Sequence, residues 1–333
     1  MILEKLIEIK NLKTYFFLEE GIAKAVDGVD LEIFYGETLG VVGESGCGKS
    51  VTALSVMRLI PEPPGKVISG EIIFKGEDLT KLSQTEMRNI RGNKISMIFQ
   101  EPMISLNPVF SIGNQISEAL LTHKRISKKE AYMQSLEMLK KVGIPIPEQR
   151  VREYPHQLSG GIRQRAMIAM ALSCKPELLI ADEPTTALDV TVQAQILNLM
   201  NDLKEKFNMS IMMITHDLGV IAEVSDRVVV MYAGKVVEYA DVKTLFTNPR
   251  HPYTWGLMNS IPRIDKETKR LIVIPGIVPS SLHFPKGCKY NNRCPLADER
   301  CIEEEPIVKE IEKGHKVRCW HYERLENLKA SMK

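Results

Sequence analysis

Short apolar runs alternate with amphipathic stretches along most of the chain, and this order predicts alternating strands and helices. The runs predicted as strands cover residues 7–17, 25–33, 39–42, 70–76, 95–100, 178–183 and 210–215. Residues 227–239 predict a hairpin with its turn at Ala233 and Gly234. Apolar residues at i, i+3 and i+4 spacing predict helices over 51–60, 115–121, 128–142 and 162–173.

A glycine-rich turn lies between the predicted strand over 39–42 and the predicted helix over 51–60. Its residues match the phosphate-binding pattern G-x-x-x-x-G-K-S and are Gly43, Glu44, Ser45, Gly46, Cys47, Gly48, Lys49 and Ser50, followed by Val51. Glycines let backbone N–H groups turn inward, and the helix N-terminus adds partial positive charge. Lys49 is expected to reach the β- and γ-phosphates of a nucleotide and the Ser50 hydroxyl to ligate Mg²⁺. The flanking strand and helix disfavour the alternative, a glycine turn that matches by chance.

Composition and charge narrow the range of partners. The formal net charge of +2 over 333 residues is too small to indicate nucleic-acid binding. No run approaches 18 apolar residues, and the first ten residues mix Glu and Lys, so neither a membrane span nor a secretory signal is predicted. We therefore expect a cytosolic protein whose six cysteines are reduced, and any membrane role is expected to act through a partner.

Polar residues follow several predicted strands, the place where α/β sheets put ligand groups. Asp182 suits a Mg²⁺ shell and Glu183 suits a group that orients or deprotonates water; the alternative is that the pair caps the next helix. Gln100 suits Mg²⁺ or an attacking water, and His216 a γ-phosphate, but each alone also fits a structural role. Tyr15 fits either an adenine-stacking ring or a tyrosine on a strand face.

A second candidate anion site precedes the predicted helix over 162–173. Ser159, Gly160 and Gly161 stand immediately before this helix. A serine followed by two glycines at a helix start suits either an anion site or a simple N-cap, and local physics alone favours the N-cap.

Four of the six cysteines fall within 32 residues, after a proline-rich stretch that begins near residue 250. They are Cys288, Cys294, Cys301 and Cys319, spaced C-x5-C-x6-C-x17-C. Four thiolates suit Zn²⁺, a [4Fe–4S] cluster or no metal at all. Zinc sites usually pair cysteines as C-x₂₋₄-C, so these wider gaps favour the larger cluster without excluding zinc.

Taken in order, the motifs resemble the nucleotide-binding subunits of ABC transporters over about residues 1–250. The matching residues are the glycine-rich loop, Gln100, L-S-G-G-I-R-Q-R, L-L-I-A-D-E-P, A-L-D and T-H-D. The resemblance implies an α/β fold with a P-loop NTPase (RecA-like) core, an antiparallel β subdomain and a helical subdomain inserted over about 101–177. It also implies a head-to-tail dimer of cassettes with ATP between them.

This resemblance also implies a role for each matching residue. The implied roles are adenine stacking for Tyr15, Mg²⁺ binding and coupling for Gln100, contact with the partner's ATP for Ser159, Gly160, Gly161 and Gln164, Mg²⁺ binding for Asp182, the general base for Glu183, a dimer contact for Asp189 and γ-phosphate contact for His216. Two departures are mild, since Leu158 stands where some members have phenylalanine and Val51 where many have threonine. Neither departure removes a catalytic group.

The tail, residues 251–333, resembles the C-terminal extension of oligopeptide and dipeptide ABC ATPases. The matching stretches are I-P-G-I-V-P over 274–279 and G-C-K-Y-N-N-R-C-P over 287–295. The resemblance implies peptide import, and [4Fe–4S] ligation by the four cysteines. The implied partners are a second ATPase subunit (a copy or a paralogue), two integral-membrane permease subunits that dock over 101–108 and the helical region, and an extracytoplasmic solute-binding protein. The implied location is the cytoplasmic face of the membrane, and no nucleic-acid partner is expected.

Three other functions remain open at this stage. One is an importer ATPase for nickel or a sugar, and another is a soluble ABC ATPase that works on DNA or ribosomes. The 107 residues between Ser50 and Leu158 carry no sustained heptads, which disfavours a soluble class with a long coiled coil there. The third is a non-hydrolysing cassette, which the intact Lys49, Asp182 and Glu183 disfavour.

Overall fold

The structure is a computed structural model that describes residues 4–100, 105–186, 188–260 and 274–326. The chain forms two compact units. Unit 1 comprises Met1–Leu6, Ile33–Glu37 and Lys81–Met213, and unit 2 comprises Ile7–Glu32, Thr38–Thr80 and Ile214–Lys333. The domain boundary near residue 250 and the helical subdomain over 101–177 stay predictions.

The described strands are β1 (Lys5–Leu18), β2 (Gly21–Phe34), β3 (Thr38–Val42), β4 (Gly65–Phe74), β5 (Glu77–Asp78), β6 (Ile95–Ile98), β7 (Leu178–Asp182), β8 (Ser210–Ile214), β9 (Arg227–Tyr232), β10 (Lys235–Asp241), β11 (Lys309–Glu312) and β12 (His315–Val317). The described α-helices are α1 (Lys49–Val56), α2 (Gln84–Ile90), α3 (Ile112–His123), α4 (Lys128–Lys141), α5 (Pro147–Arg150), α6 (Gly160–Leu172), α7 (Val190–Phe207), α8 (Leu218–Val224), α9 (Val242–Thr247), α10 (Pro252–Asn259) and α11 (Glu299–Glu303).

Unit 1 contains strands in the order β8-β7-β6, together with helices α2 to α7. Strands β6 and β7 are parallel, with Ile95 opposite Leu178 and Ile98 opposite Ala181. Every residue of both strands is buried, as expected for strands covered on both faces. Because β6 and β7 run the same way, the residues that follow them lie at the same edge of the sheet.

Unit 2 contains two groups of strands. In the first, with order β2-β1-β4-β5, β4 runs antiparallel to both β1 and β5. In the second, with order β11-β12-β10-β9-β3, β3 and β9 are parallel and β9 forms an antiparallel hairpin with β10. The hairpin confirms the prediction over 227–239, and its turn at Ala233 and Gly234 has φ of +47° and +77°.

Two predicted boundaries differ from the observed ones for identifiable reasons. Helix α1 ends at Val56, earlier than the predicted residue 60, because Arg58 adopts a left-handed φ of +49° and the Leu59 N–H returns to the Leu54 carbonyl (2.8 Å). Strand β4 begins at Gly65, earlier than the predicted residue 70, because its first residues pair with the far end of β1, where Gly65 lies opposite Phe16.

Candidate functional site

The glycine-rich loop of unit 2 connects β3 to α1 and is tightly packed. Gly43 has φ +154°, and an added Cβ would lie 2.2 Å from the Met231 carbonyl oxygen. Gly48 has φ +104°, and an added Cβ would lie 2.4 Å from the Ala25 carbonyl oxygen. Only glycine allows the backbone to pass this close, so the two glycines fix the path of the loop.

Lys49 begins α1 and turns back over this loop. It is buried, and its Nζ donates to the carbonyl oxygens of Gly43 (2.7 Å) and Glu44 (3.2 Å). The remaining predicted loop residues divide by burial: Ser45 and Gly46 are exposed, Cys47 is buried, and Ser50 and Val51 are half-buried in the first turn of α1. A glycine-built loop at a helix N-terminus, with a lysine ammonium beside it, is suited to binding phosphate oxygens.

Two residues to which the sequence analysis gave no role hold Glu44. The Glu44 N–H donates to the Tyr253 hydroxyl (2.9 Å), and Arg293 of the tail donates to both Glu44 carboxylate oxygens (2.7 and 3.1 Å). Burial opposes the charge of Arg293, but its bonds to Glu44 and Tyr232 outweigh burial and raise its pKa. These contacts join residues more than 200 positions apart, and no local sequence signal marks them.

Tyr15, predicted to stack on adenine, is half-buried in β1 and anchored through its hydroxyl. It donates to Asp27 Oδ1 (2.6 Å), and the Lys24 ammonium lies 5.8 Å from its ring centre. Asp27 also pairs with Lys235 (3.1 Å). Burial opposes ionisation of Asp27, but the bonds from Tyr15 and Lys235 outweigh it and lower its pKa. The geometry therefore orients the ring, while stacking itself stays a prediction.

His216 is exposed and lies just beyond β8. The N–H of Thr215, the residue before it, donates to the Val41 carbonyl of β3 (3.3 Å). That bond places His216 beside the strand that leads into the glycine-rich loop. Contact of His216 with a γ-phosphate stays a prediction.

Unit 1 brings together Gln100 and Glu183, 83 positions apart in the chain. Gln100 Nε2 donates to Glu183 Oε2 (3.2 Å), and Thr186 Oγ1 donates to the same oxygen (2.8 Å). Glu183 has a left-handed φ of +48°, which is strained for a residue other than glycine and is typical of functional positions. Asp182, the last residue of β7, is 4% exposed. This edge of the sheet therefore carries one positioned carboxylate beside a buried one.

The second glycine stretch divides into an exposed part and a buried part. Ser159 is the N-cap residue of α6, yet its side chain makes no capping hydrogen bond. A Cβ added to Gly160 would meet no described heavy atom within 4 Å apart from its chain neighbours and the backbone of α6 itself. A Cβ added to Gly161 would lie 3.2 Å from a side-chain carbon of Val192, so Gly161 passes close to α7. Ser159 therefore occupies the N-cap position without the capping bond, and its contact with a partner's ATP stays a prediction. Gln164 is buried and donates to the Pro184 carbonyl, so in this structure it ties α6 to the segment after Glu183 and does not lie on the exposed edge.

Asp189 is exposed and caps its own helix. Its Oδ1 accepts from the Val192 N–H (2.9 Å) at the start of α7. The dimer contact predicted for Asp189 stays a prediction. Ala187 of the A-L-D motif and residues 101–104 of the predicted docking segment lie outside the described residues.

The four tail cysteines are free thiols that interact with one another. Burial raises the pKa of Cys288 to about 11 and that of Cys294 to about 12, and it also raises the pKa of Cys301 and Cys319. The other thiols raise the pKa of Cys288, Cys294 and Cys319 further. Backbone N–H groups of Leu296 and His321 donate to Cys294 Sγ (3.4 Å) and Cys319 Sγ (3.3 Å). Thiolates here would need a positively charged centre to stabilise them.

A closer group of possible ligands lies at the edge of this cluster. Among the described residues, Asp298, Cys301 and His321 form the one set of three or more whose ligand atoms all lie within 4.8 Å of one another. His321 Nε2 lies 2.7 Å from Asp298 Oδ2, and this bond, with the N–H of Cys301, lowers the pKa of Asp298 to about 2 although slight desolvation opposes it. The four cysteine sulfurs do not form a set this compact within the described ranges.

Family models match both parts of the chain. Residues 26–186 match the model for the ABC transporter, and residues 237–301 match that for the oligopeptide/dipeptide transporter, C-terminal region. No helix within the described ranges combines the length and the apolar character needed to cross a bilayer.

Relatives and solved structures agree with these matches. The chain is 55% identical over 318 residues to the oligopeptide transport ATP-binding protein AppD of Bacillus subtilis (strain 168), covering 96% of this chain and 97% of that protein. It is 51% identical over 318 residues to the dipeptide transport ATP-binding protein DppD of the same organism, covering 96% and 95%. The solved structure of the ATP-binding cassette MJ0796, described as a dimeric post-hydrolysis state bound to ADP and Pi, has a TM-score of 0.64 and 29% identity and covers 71% of this chain and 98% of that one.

These findings define a P-loop ATPase of α/β fold, as the motifs predicted. The chain belongs to the ABC transporter family, as one of its ATP-binding subunits.

Proposed function

We propose that this chain is the ATP-hydrolysing subunit of an importer for di- or oligopeptides. The observation that carries the proposal is the combination, in one chain, of the glycine-rich loop with a tail of the oligopeptide/dipeptide type. Relatives of this length and similarity carry oligopeptide and dipeptide transport in their names. The glycine-rich loop alone would leave the substrate class undefined, and the tail alone would leave ATP hydrolysis undefined.

In unit 2 the glycine-rich loop binds the phosphates of ATP. Backbone N–H groups and the N-terminus of α1 meet the phosphate oxygens, and Lys49 exchanges its bonds to Gly43 and Glu44 for the β- and γ-phosphates. Tyr15, held by Asp27, faces the adenine, and His216 faces the γ-phosphate. Ser50 at the start of α1 would hold Mg²⁺, since its hydroxyl offers the hard oxygen atom that this ion prefers, and the bound ion would neutralise phosphate charge. Mg²⁺ binding by Gln100 and Asp182 stays a prediction.

Glu183 is the general base in unit 1. Its carboxylate is oriented by Gln100 and Thr186, so it can accept a proton from water as the water attacks the γ-phosphorus. The exposed Ser159, Gly160 and Gly161 of this chain, with Gln164 behind them, contact the ATP of a second cassette, which supplies its own signature residues to the ATP of this chain. Asp189 contacts that cassette. Hydrolysis is therefore expected of the assembled complex and not of a lone chain.

The complex that follows contains a second ATPase subunit, two permease subunits and an extracytoplasmic solute-binding protein. The chain lies at the cytoplasmic face of the membrane, with the segment over 101–108 in contact with a permease. Uptake of labelled di- and oligopeptides into proteoliposomes carrying the whole complex tests this proposal. ATP-dependent peptide uptake that is lost with Glu183→Gln is expected; uptake of nickel or a sugar instead of peptides would contradict it.

We propose further that the four tail cysteines would hold a [4Fe–4S] cluster, which would stabilise the fold of the tail. Four sulfurs around one tetrahedral zinc, each about 2.3 Å from the metal, would lie about 3.8 Å apart. Among the described residues the four sulfurs do not all lie within 4.8 Å of one another, so their arrangement does not match a closed four-cysteine zinc site. Donation of backbone N–H groups to Cys294 and Cys319 is the kind of contact that tunes such clusters.

Anaerobic purification followed by iron, sulfide and zinc analysis tests the cluster. Wild type is expected to be coloured and to hold about four irons per chain. Cys301→Ser is expected to lose iron, whereas Cys174→Ser, at a similarly buried cysteine outside the tail, keeps it. Colourless, iron-free wild type, or zinc in place of iron, would contradict the proposal.

A further inference from the structure

A carboxylate lies within the glycine-rich loop, and an arginine from the tail covers it. Arg293 is 4% exposed at its side chain and contacts Glu44, which is 31% exposed, through two nitrogen–oxygen bonds of 2.7 and 3.1 Å. A paired, bidentate contact of this kind is among the strongest ion pairs in proteins, and lysine cannot reproduce its geometry. The structure therefore joins the tail directly to the phosphate-binding loop.

The position of this arginine is set by the tail. Its Nε donates to the Pro275 carbonyl (2.7 Å), and its backbone N–H donates to the Tyr290 carbonyl (3.0 Å) within a short 3₁₀ turn. That turn connects Cys288 to Cys294, so two of the four thiols flank it in the chain. The guanidinium can reach Glu44 only while this part of the tail keeps its fold.

Glu44 is held from a second side as well. Its N–H donates to the hydroxyl of Tyr253, which packs against Tyr232 and Tyr290 with ring centres 4.6 and 5.4 Å apart. Its carbonyl accepts from Lys49, the lysine expected to meet the phosphates (3.2 Å). A shift of Glu44 would therefore reach the phosphate-binding lysine directly.

The charge of Glu44 matters because the loop binds an anion. An unpaired carboxylate in a phosphate-binding loop opposes the ligand, whereas a paired one is close to neutral. We propose that Arg293 is a positioning residue of the nucleotide site: it holds Glu44 and cancels its charge, so that the tail sets the affinity of the loop for the triphosphate. This inference rests on the proposed binding of ATP by the loop, and Arg293 acts through Glu44 without contacting the phosphates.

Equilibrium binding of a fluorescent ATP analogue with Mg²⁺ to the full chain tests the inference, through a charge-cancellation cycle. Arg293→Met leaves the carboxylate unpaired, and Kd is expected to rise about tenfold, equivalent to about 1.4 kcal/mol. Glu44→Gln leaves the arginine unpaired, and Kd is expected to fall about threefold. The double variant restores neutrality, and its Kd is expected to return towards that of wild type.

A merely structural contact would give a different pattern. It would weaken binding in both single variants and at least as much in the double variant, and that result would overturn the inference, as would an unchanged Kd for Arg293→Met. Lys313→Met, which removes a positive charge from an exposed turn of the tail, is the matched control and is expected to bind like wild type.

Two further measurements keep the test decisive. The effect of Arg293→Met is expected to shrink at high salt, because Glu44 is partly exposed to screening ions; a salt-independent effect would count against the charge argument. If Arg293→Met does not fold in thermal denaturation, Glu44→Gln alone still tests the charge: its Kd is expected to fall about threefold, and a raised or unchanged Kd there would contradict charge cancellation. Wild type that binds no ATP at all would instead refute the proposed nucleotide site.

Discussion

Crowding at Gly43 is expected to make this position the most sensitive glycine of the phosphate-binding loop. In Gly43→Ala the new Cβ would lie 2.2 Å from the Met231 carbonyl oxygen and 2.7 Å from Cys47 Sγ. Because a carbon–oxygen contact needs about 3.3 Å, the loop or the end of β9 must move by about 1 Å. A displacement of that size in a binding constellation typically costs about 10² in function. We therefore expect Kd for Mg·ATP to rise at least about a hundredfold and the free energy of unfolding to fall by about 3 kcal/mol.

Two other glycines separate crowding from backbone strain. Gly36 has φ +72° outside the loop and Gly46 has φ +78° within it, and apart from the chain neighbours no described atom lies within 4 Å of a Cβ added to either. Alanine at each position is expected to lower the free energy of unfolding by only about 1–2 kcal/mol, the cost of a left-handed backbone for a residue with a Cβ. Gly36→Ala should bind Mg·ATP like wild type, and Gly46→Ala should lose less than about tenfold in affinity for Mg·ATP.

Equilibrium nucleotide binding, paired with thermal denaturation of the same variants, measures both quantities. Gly43→Ala that binds Mg·ATP as tightly as Gly36→Ala would refute the reasoning. Equal losses for Gly43→Ala and Gly46→Ala would show that membership of the loop, and not crowding, determines the effect.

Three further predictions follow from the described contacts. Glu183→Gln keeps its shape but cannot accept a proton, so phosphate release by the assembled complex is expected to fall about 10²–10⁴-fold while Mg·ATP still binds; normal turnover would contradict the base assignment. Burial lowers the pKa of His251 to about 4 against an ordinary 6.5, so between these pH values the unfolded chain takes up a proton that the folded chain does not. The free energy of unfolding is therefore expected to keep its full value above about pH 6.5 and to fall towards pH 4 by on the order of 3 kcal/mol. In urea denaturation His251→Asn, which keeps a capping acceptor, should flatten that slope, and an unchanged slope would refute the assignment. Lys235 bridges Asp27 (3.1 Å) and Glu305 (2.7 Å), so in chemical denaturation Lys235→Met is expected to lower the free energy of unfolding by about 3 kcal/mol. Lys94→Met, at an exposed pair, should lower it by less than about 1 kcal/mol, and equal losses in the two variants would contradict this.

The glycine-rich loop could be predicted from the sequence because everything that defines it is contiguous. Strand, glycines, lysine and helix follow one another within about twenty residues, and the structure keeps that order from β3 to α1. Gln100 and Glu183 were found by a less direct rule, that ligand groups follow parallel strands, and the hydrogen bond between them agrees with it.

Long-range partners could not be predicted in this way. Arg293 and Glu44 are 249 positions apart, and nothing around either residue indicates the other. The early end of α1 depends on one left-handed residue, Arg58, which no periodicity marks. Burial of Gln164 beneath the exposed Ser159 depends on how α6 packs on the segment after β7, and a motif does not record packing.

Peptide-stimulated phosphate release by the reconstituted complex tests the central claim most directly. The Lys49 ammonium group bonds to the loop backbone, and Lys49→Ala removes that group from the loop. The wild-type complex is expected to release phosphate when the solute-binding protein delivers peptide, and the Lys49→Ala complex to release almost none. Turnover by Lys49→Ala at the wild-type rate would contradict the account.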